Sequence, residues 1–174
     1  MVEEAGRLNM GKMNSHDDLM NARDIAWFGH KDQLDKGGNP YYIHLVSVMT
    51  GVWTTFDFDK TDYDYLIVAI LHDFLEDVDN SESTILHFRH VFGDDVVDAL
   101  IAITKIKGEK RSDYLKRVCD NRIACLVKYY DTKDNMNLSR LKEITQKDIS
   151  RCQIYSSNLE TIKSRLVEYG FSVN

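Results

Sequence analysis

A single proline, Pro40, stands in a chain of 174 residues, and the apolar residues on either side of it recur at three- and four-residue intervals. No long Gly/Ser stretch, internal repeat or linker interrupts that spacing. The pattern predicts a mostly helical, all-α protein of six to eight helices with no strand pair. Ser15 caps a helix to about His30 whose inner stripe is Leu19, Ala22, Ile25, Ala26 and Gly29. The stretch Lys36-Gly37-Gly38-Asn39 is loop chemistry. Pro40 opens a second helix carrying Tyr41, His44, Leu45, Val48, Met49 and Val52. Thr61 or Asp62 caps a third, from Tyr63 to about Glu76. "TILHFRHVFG" is a short helix stopped by Gly93. "DDVVDALIAITKI" is another, with acids in its first turn, where the helix dipole favours them. "KGEKRS" is a charged loop. Residues 113 to about 131 form helix, with a break near Asp120-Asn121, and "TKDNMNLSRLKEIT" is irregular or a short helix. Lys147 to about Tyr169 is the last helix.

This length suits one domain, residues 1–174 with a motif-bearing core at about 16–169, and it is enough to bury a real core. The net charge of −6 disfavours sequence-independent binding to nucleic acid or to an anionic membrane. It leaves room for a small phosphorylated ligand whose pocket carries a metal or a local basic cluster. The opening MVEEAGRLNMGKM has acids and no apolar h-region, so it reads as no secretory signal. No apolar run reaches the length of a membrane helix. Cys119, Cys125 and Cys152 lack C-x-x-C spacing and read as free thiols of a reducing cytosol, inert in the core.

The chemistry concentrates in "LHDFLEDVDN", Leu71 to Asn80, which follows the apolar run Leu66–Ile70. Residues four apart on a helix share a face, so His72 would lie above Glu76 and Asp73 above Asp77. One imidazole and three carboxylates at the edge of a core are costly unless paired. A divalent cation resolves that cost, and mixed imidazole and carboxylate ligands suit manganese, iron or zinc more than magnesium or calcium. Seen alone, an "HD" pair is more often a surface feature. Its place after an apolar run, with His44 in "PYYIH" and Asp131 in "KYYD" at comparable core edges, favours the metal.

These segments together resemble the HD-domain metallohydrolases, and among them the RelA/SpoT-type alarmone hydrolases, including small stand-alone ones. The resemblance rests on "HKDQ" (His30–Gln33), "GGNPYYIH", "LHDFLED", "FGDDVVDALIAITK", "KYYDTKDN" and the following "SRL", in the family's order over about residues 20–160. It implies an HD-domain helical bundle that hydrolyses a nucleotide with one divalent ion, typically manganese, with zinc, iron and cobalt as alternatives. The implied ligands are His44, His72, Asp73 and Asp131. Glu76 and Asp77 would position and activate water, with Glu76 taking or relaying the proton. Lys36, Asn135 and Tyr155 would contact the nucleotide. The implied activity is removal of the 3′-pyrophosphate from guanosine tetra- or pentaphosphate by a cytoplasmic enzyme of the stringent response, whose partner is a small nucleotide and not nucleic acid or membrane.

One position departs from the family. Its loop reads Q-x-R-K-x-G, whereas this chain reads "QLDKGG", with Asp35 where an arginine packs on guanine. An aspartate cannot stack as a planar cation. It can accept hydrogen bonds from a base edge. The departure keeps open an HD nucleotidase or phosphatase acting on a deoxynucleoside triphosphate, NADPH or another 3′-phosphorylated nucleotide, and a non-catalytic binding protein is the third alternative. His30 reads as a loop-orienting hydrogen-bonding residue rather than a ligand. His16, His87 and His90 read as surface or capping residues, and Trp27, Trp53, Phe56 and Phe58 as packing at the core or its edge. Lys105, Lys107, Lys110 and Arg111, like Lys128 and Arg140, are either solvated or reach phosphates.

Overall fold

A computed structural model describes residues 13–56 and 62–173. Among them are α1 (His16–His30), α2 (Tyr42–Trp53), α3 (Tyr63–Leu71), α4 (Phe74–Asp77), α5 (Glu82–Phe92), α6 (Asp94–Ile103), α7 (Arg111–Asp120), α8 (Arg122–Asn135) and α9 (Gln146–Glu168). The only pairing of extended residues described is one isolated bridge, Leu34 with Pro40.

Local chemistry sets most of the boundaries. Ser15 accepts from the Asp18 N–H while Asp18 reaches back to the Ser15 N–H, a capping box that starts α1. Asp62, rather than Thr61, whose position lies outside the described residues, caps α3. Ser81 caps α5, which begins two residues earlier than its apolar pattern suggests. Gly93 ends α5 with φ at 89°, a conformation open to glycine at no steric cost. Asn121 breaks the chain between α7 and α8 and caps α8. α6 stops at Ile103 because Thr104 turns extended, so "TKI" is not helical.

α3 is the axis. Its residues Tyr65–Leu71 are all buried, since α1, α2, α6 and α8 pack around it. A helix apolar on every side has to be enclosed, which explains the uninterrupted run LIVAIL. Each large apolar side chain buried there stabilises by about 1.5–3 kcal/mol. α2 and α8 also pack on each other, and α9 closes over α8. The C-terminal end of α3 therefore emerges between α2 and α8.

Two glycines permit close approach near that junction. A Cβ on Gly29 would lie 2.7 Å from Phe74 Cε2, and one on Gly51 would lie 2.4 Å from Tyr130 Cδ1. Trp27 and Trp53 are nearly half exposed, so they sit at the rim of the core rather than in it. Phe56 packs edge-on against Tyr65 and Phe171. Phe58 lies outside the described residues.

Candidate active site

The third helix does not run through to Glu76. It ends at Leu71, and the single turn Phe74–Asp77 follows a break at His72-Asp73. His72 Nδ1 sits 2.7 Å from the Ala69 carbonyl, the acceptor an uninterrupted helix gives to the Asp73 N–H. Asp73 adopts φ −100° and ψ −2°, the bridge region favoured at turns and active sites. The break undoes the simple stacking of His72 over Glu76 and Asp73 over Asp77. His72 and Asp73 turn into the protein, while Glu76 and Asp77 splay to its sides.

His72 is met by His44 from α2 and Asp131 from α8. One ligand atom from each of these three buried residues lies within 4.8 Å of the others. His44 Nε2 is 3.3 Å from Asp131 Oδ1, and His72 Nε2 is 3.8 Å from it. Asp73 joins them, its Oδ2 lying 3.1 Å from His72 Nε2 and 3.8 Å from His44 Nε2. Tyr41 Oη donates to that same Oδ2 at 2.5 Å. Lys128 Nζ lies 2.7 Å from the other Asp131 oxygen.

Both imidazoles are held by Nδ1, His44 on Asp134 Oδ2 at 2.6 Å and His72 on the Ala69 carbonyl. Their Nε2 atoms are buried and lack hydrogen-bond partners, close as the carboxylates are. Orphaned buried nitrogens are rare. Two of them, converging with two carboxylates, form a donor set suited to a divalent transition metal. The residues present therefore fit the metal that their types suggest.

The electrostatics agree. Burial disfavours the Asp131 carboxylate, but the Lys128 ammonium and the two imidazoles hold its pKa well below the usual range. Burial likewise opposes an imidazolium at His72, yet the carboxylates of Asp73 and Asp131 beside it raise its pKa well above normal. Asp73, against the pull of burial, is lowered by His72 and Tyr41. Buried carboxylates gathered around two imidazoles favour positive charge at this point.

The remaining sequence-derived residues flank this centre. Glu76 accepts from the Lys105 N–H at 3.3 Å, with Lys105 Nζ 3.9 Å away. Asp77 accepts from Gln33 Nε2 at 2.8 Å, and Gln33 Oε1 is 2.6 Å from His30 Nδ1. His30 thus orients the loop through Gln33. Lys36, Tyr155 and Asn135 line a cleft of about 260 Å³, together with Asp35, Tyr41, His44, Arg140 and Arg151. A second cleft of about 310 Å³ is lined by Lys105, Arg111, Tyr114, Lys128 and Thr132, and Tyr155 borders both. Lys107 and Lys110 stay exposed.

Asp35 lines the first cleft, but its carboxylate is engaged within its own loop. Oδ1 accepts from the Gly37 and Asn39 N–H groups, each at 2.8 Å. Burial opposes the charge, but the Asn39 and Gly37 bonds, with the Arg140 charge, together lower its pKa. Gly38, with φ at +86°, completes the turn. Tyr41 and Asp134, which orient Asp73 and His44, were not singled out from the sequence as site residues. They act from 32 and 90 positions away, and no helical or strand spacing signals a contact between separate elements.

The chain is thus an all-α bundle that brings two buried histidines and two aspartates together at the broken end of a buried helix. No family model matches the chain. It is 28% identical to the guanosine-3′,5′-bis(diphosphate) 3′-pyrophosphohydrolase of Aquifex aeolicus (strain VF5), over 94% of this chain and 25% of that protein. It is also 28% identical to the bifunctional (p)ppGpp synthase/hydrolase SpoT of Escherichia coli (strain K12), over 88% of this chain and 24% of that protein. The chain thus spans about a quarter of the length of these relatives. A solved structure of a metazoan ortholog of SpoT, described as hydrolysing ppGpp, superposes with a TM-score of 0.69 at 22% identity, covering 90% of this chain and 96% of that one. The chain is accordingly similar in sequence to RelA/SpoT-type hydrolases and shares its fold with the metazoan SpoT ortholog. None of the helices among the described residues is long and apolar enough to cross a membrane.

Proposed function

We propose that this protein is a cytoplasmic, metal-dependent phosphohydrolase that removes the 3′-pyrophosphate from guanosine tetra- or pentaphosphate. The observation that carries the reading is the pair of buried, unpartnered Nε2 atoms of His44 and His72 facing Asp131 and Asp73 between two cation-lined clefts. His44, His72, Asp73 and Asp131 would hold one divalent ion, with manganese the expected metal. Such an ion lowers the pKa of water and offsets phosphoryl charge.

The chain's own groups supply the rest. Glu76, held beside Lys105 at the second cleft, would take the proton from the attacking water. Asp77, through Gln33 and His30, fixes the loop that carries Lys36. Lys105, Arg111 and Lys128 line the cleft where a pyrophosphate would be drawn. Lys36, Asn135 and Tyr155 would seat the nucleoside in the first. In the balanced reaction, the water oxygen bonds to the phosphorus next to the 3′-oxygen, the 3′-O–P bond breaks and the 3′-oxygen takes up a proton, giving pyrophosphate with guanosine diphosphate from the tetraphosphate or guanosine triphosphate from the pentaphosphate. The names of the curated relatives support this substrate.

The loop-bound Asp35 favours a second reading, in which the same centre acts on a different nucleotide. With its Oδ1 held by the Gly37 and Asn39 N–H groups, this position offers a base no stacking cation, and its carboxylate is turned to its own loop. A nucleotide panel with manganese tests both readings. Release of pyrophosphate from guanosine tetraphosphate, lost in Asp73→Ala, is the expected result. Turnover only of NADPH or deoxynucleoside triphosphates would transfer the assignment to the second reading.

A further inference from the structure

Asp134 lies on the last turn of α8, three residues after Asp131 and one before Asn135. It receives three groups. His44 Nδ1 is 2.6 Å from Oδ2, Arg140 Nη1 is 3.0 Å from the same oxygen, and Ser47 Oγ donates to Oδ1 at 2.5 Å. Arg140 also donates through Nη2 to Asn135 Oδ1 at 3.1 Å, and Asn135 Nδ2 donates to Asp131 Oδ1. The contacts close a ring from His44 through Asp134, Arg140 and Asn135 to Asp131, and back across the centre to His44 Nε2.

We infer that Asp134 is the positioning residue that makes His44 a metal ligand, and that Arg140 locks it in place. The inference rests on the metal reading of the site. An imidazole has two nitrogens, and the one that hydrogen-bonds outward decides which faces the metal. The carboxylate of Asp134 takes the proton-bearing Nδ1, so the Nε2 lone pair is aimed at His72 and Asp131, where it is buried without a partner. A carboxylate behind the ring also raises its basicity as a ligand. His72 leans on a neutral carbonyl instead, so the two imidazoles are not equivalent. Ser47 comes from α2, one turn after His44, and ties the same carboxylate to the helix that carries the ligand. Arg140 fixes the carboxylate from the opposite side and spans Asp134 and Asn135 along one wall of the first cleft.

The test is manganese affinity of the full-length chain, measured by competition with a fluorescent chelator, for wild type, Asp134→Ala, Asp134→Asn and Arg140→Met. Thermal melts of the metal-stripped proteins serve as the control for folding. Asp134→Ala is expected to weaken binding by about 10- to 100-fold. Asp134→Asn is expected to recover part of that loss, because an amide oxygen still accepts from Nδ1–H. Arg140→Met, which leaves the carboxylate on His44, is expected to lose less than Asp134→Ala. Asp134 is partly exposed, and if its alanine variant fails to fold, the asparagine and Arg140 variants carry the comparison. Wild-type affinity in Asp134→Ala would overturn the inference while leaving the metal site standing, as would equal losses in Asp134→Ala and Arg140→Met. A wild type that binds no manganese would overturn the metal reading and the inference together.

Discussion

At Gly51 α2 packs tightly against Tyr130 of α8, and Gly51→Ala puts that junction to a quantitative test. The added Cβ would lie 2.4 Å from Tyr130 Cδ1, 2.9 Å from Cγ and 3.1 Å from Cε1. The ring cannot swing aside freely. Its hydroxyl is 2.8 Å from Thr55 Oγ1, and its edge meets Tyr129 at 5.1 Å between centroids. Two effects oppose each other. Alanine in a helix interior gains about 0.5–1 kcal/mol over glycine. Forcing extra carbon into a packed contact costs about 1–3 kcal/mol, and loss of the Thr55 bond adds about 1 kcal/mol. The clash wins, leaving a net destabilisation of about 1–3 kcal/mol, or roughly 2–4 °C per kcal/mol for a chain of this size. Because His44 rides on α2 and Asp131 on α8, manganese affinity should fall alongside stability. Urea unfolding and a metal competition titration read the two quantities. A stabilised protein with unchanged affinity would refute the claim that this contact sets the spacing of the ligands.

Other perturbations separate the parts of the site. Lys128→Met breaks a pair with side chains only 20% and 6% exposed, and should cost the metal-free protein about 3–5 kcal/mol. Added manganese should recover much of the loss, and equal losses in urea with and without the ion would sink the pairing argument. Gly37→Ala would place a Cβ 2.2 Å from the Arg140 carbonyl oxygen, lifting the loop off the first cleft. KM for the nucleotide should then rise about tenfold, equivalent to about 1.4 kcal/mol, with a smaller change in manganese affinity passed on through Arg140, and an unaltered KM would count against that cleft as the nucleotide seat. The pH response of the metal-free protein has a definite sign. Despite burial, Asp131 and Asp134 raise His44, and Asp73 and Asp131 raise His72, above the ordinary 6.5. A raised folded-state pKa contributes stability fully present below about 6.5 and lost as pH climbs through the raised value. Urea melts should therefore show this contribution to stability falling with rising pH without metal. The increment due to manganese should grow over the same range, because the ion competes with protons for the ring nitrogens.

The helical architecture was legible because the caps are local. Ser15, Asp62, Ser81, Gly93 and Asn121 each announce a boundary within three or four residues of themselves. The break at His72-Asp73 was not. Apolar spacing runs on through Phe74 and Leu75, which are buried on their own account, so the pattern reads as one helix. His44, His72 and Asp131 were legible as residues at the edge of apolar runs, and their meeting depended on three different helices. Tyr41 and Asp134 remained hidden because a hydrogen bond between elements leaves no periodic trace. Asp35 carried a signal that went unused. An aspartate followed two to four residues later by Gly-Gly-Asn is a pattern for a side chain that closes its own turn, and the structure shows that closure.

His44, His72, Asp73 and Asp131 are expected to hold one divalent ion. The most direct test is the manganese stoichiometry of metal-stripped wild type and of His44→Ala/His72→Ala, measured by calorimetric titration with elemental analysis of the dialysed protein. One ion per chain in wild type and none in the double variant is the expected result. Equal binding by both proteins, or no ion in either, would contradict it.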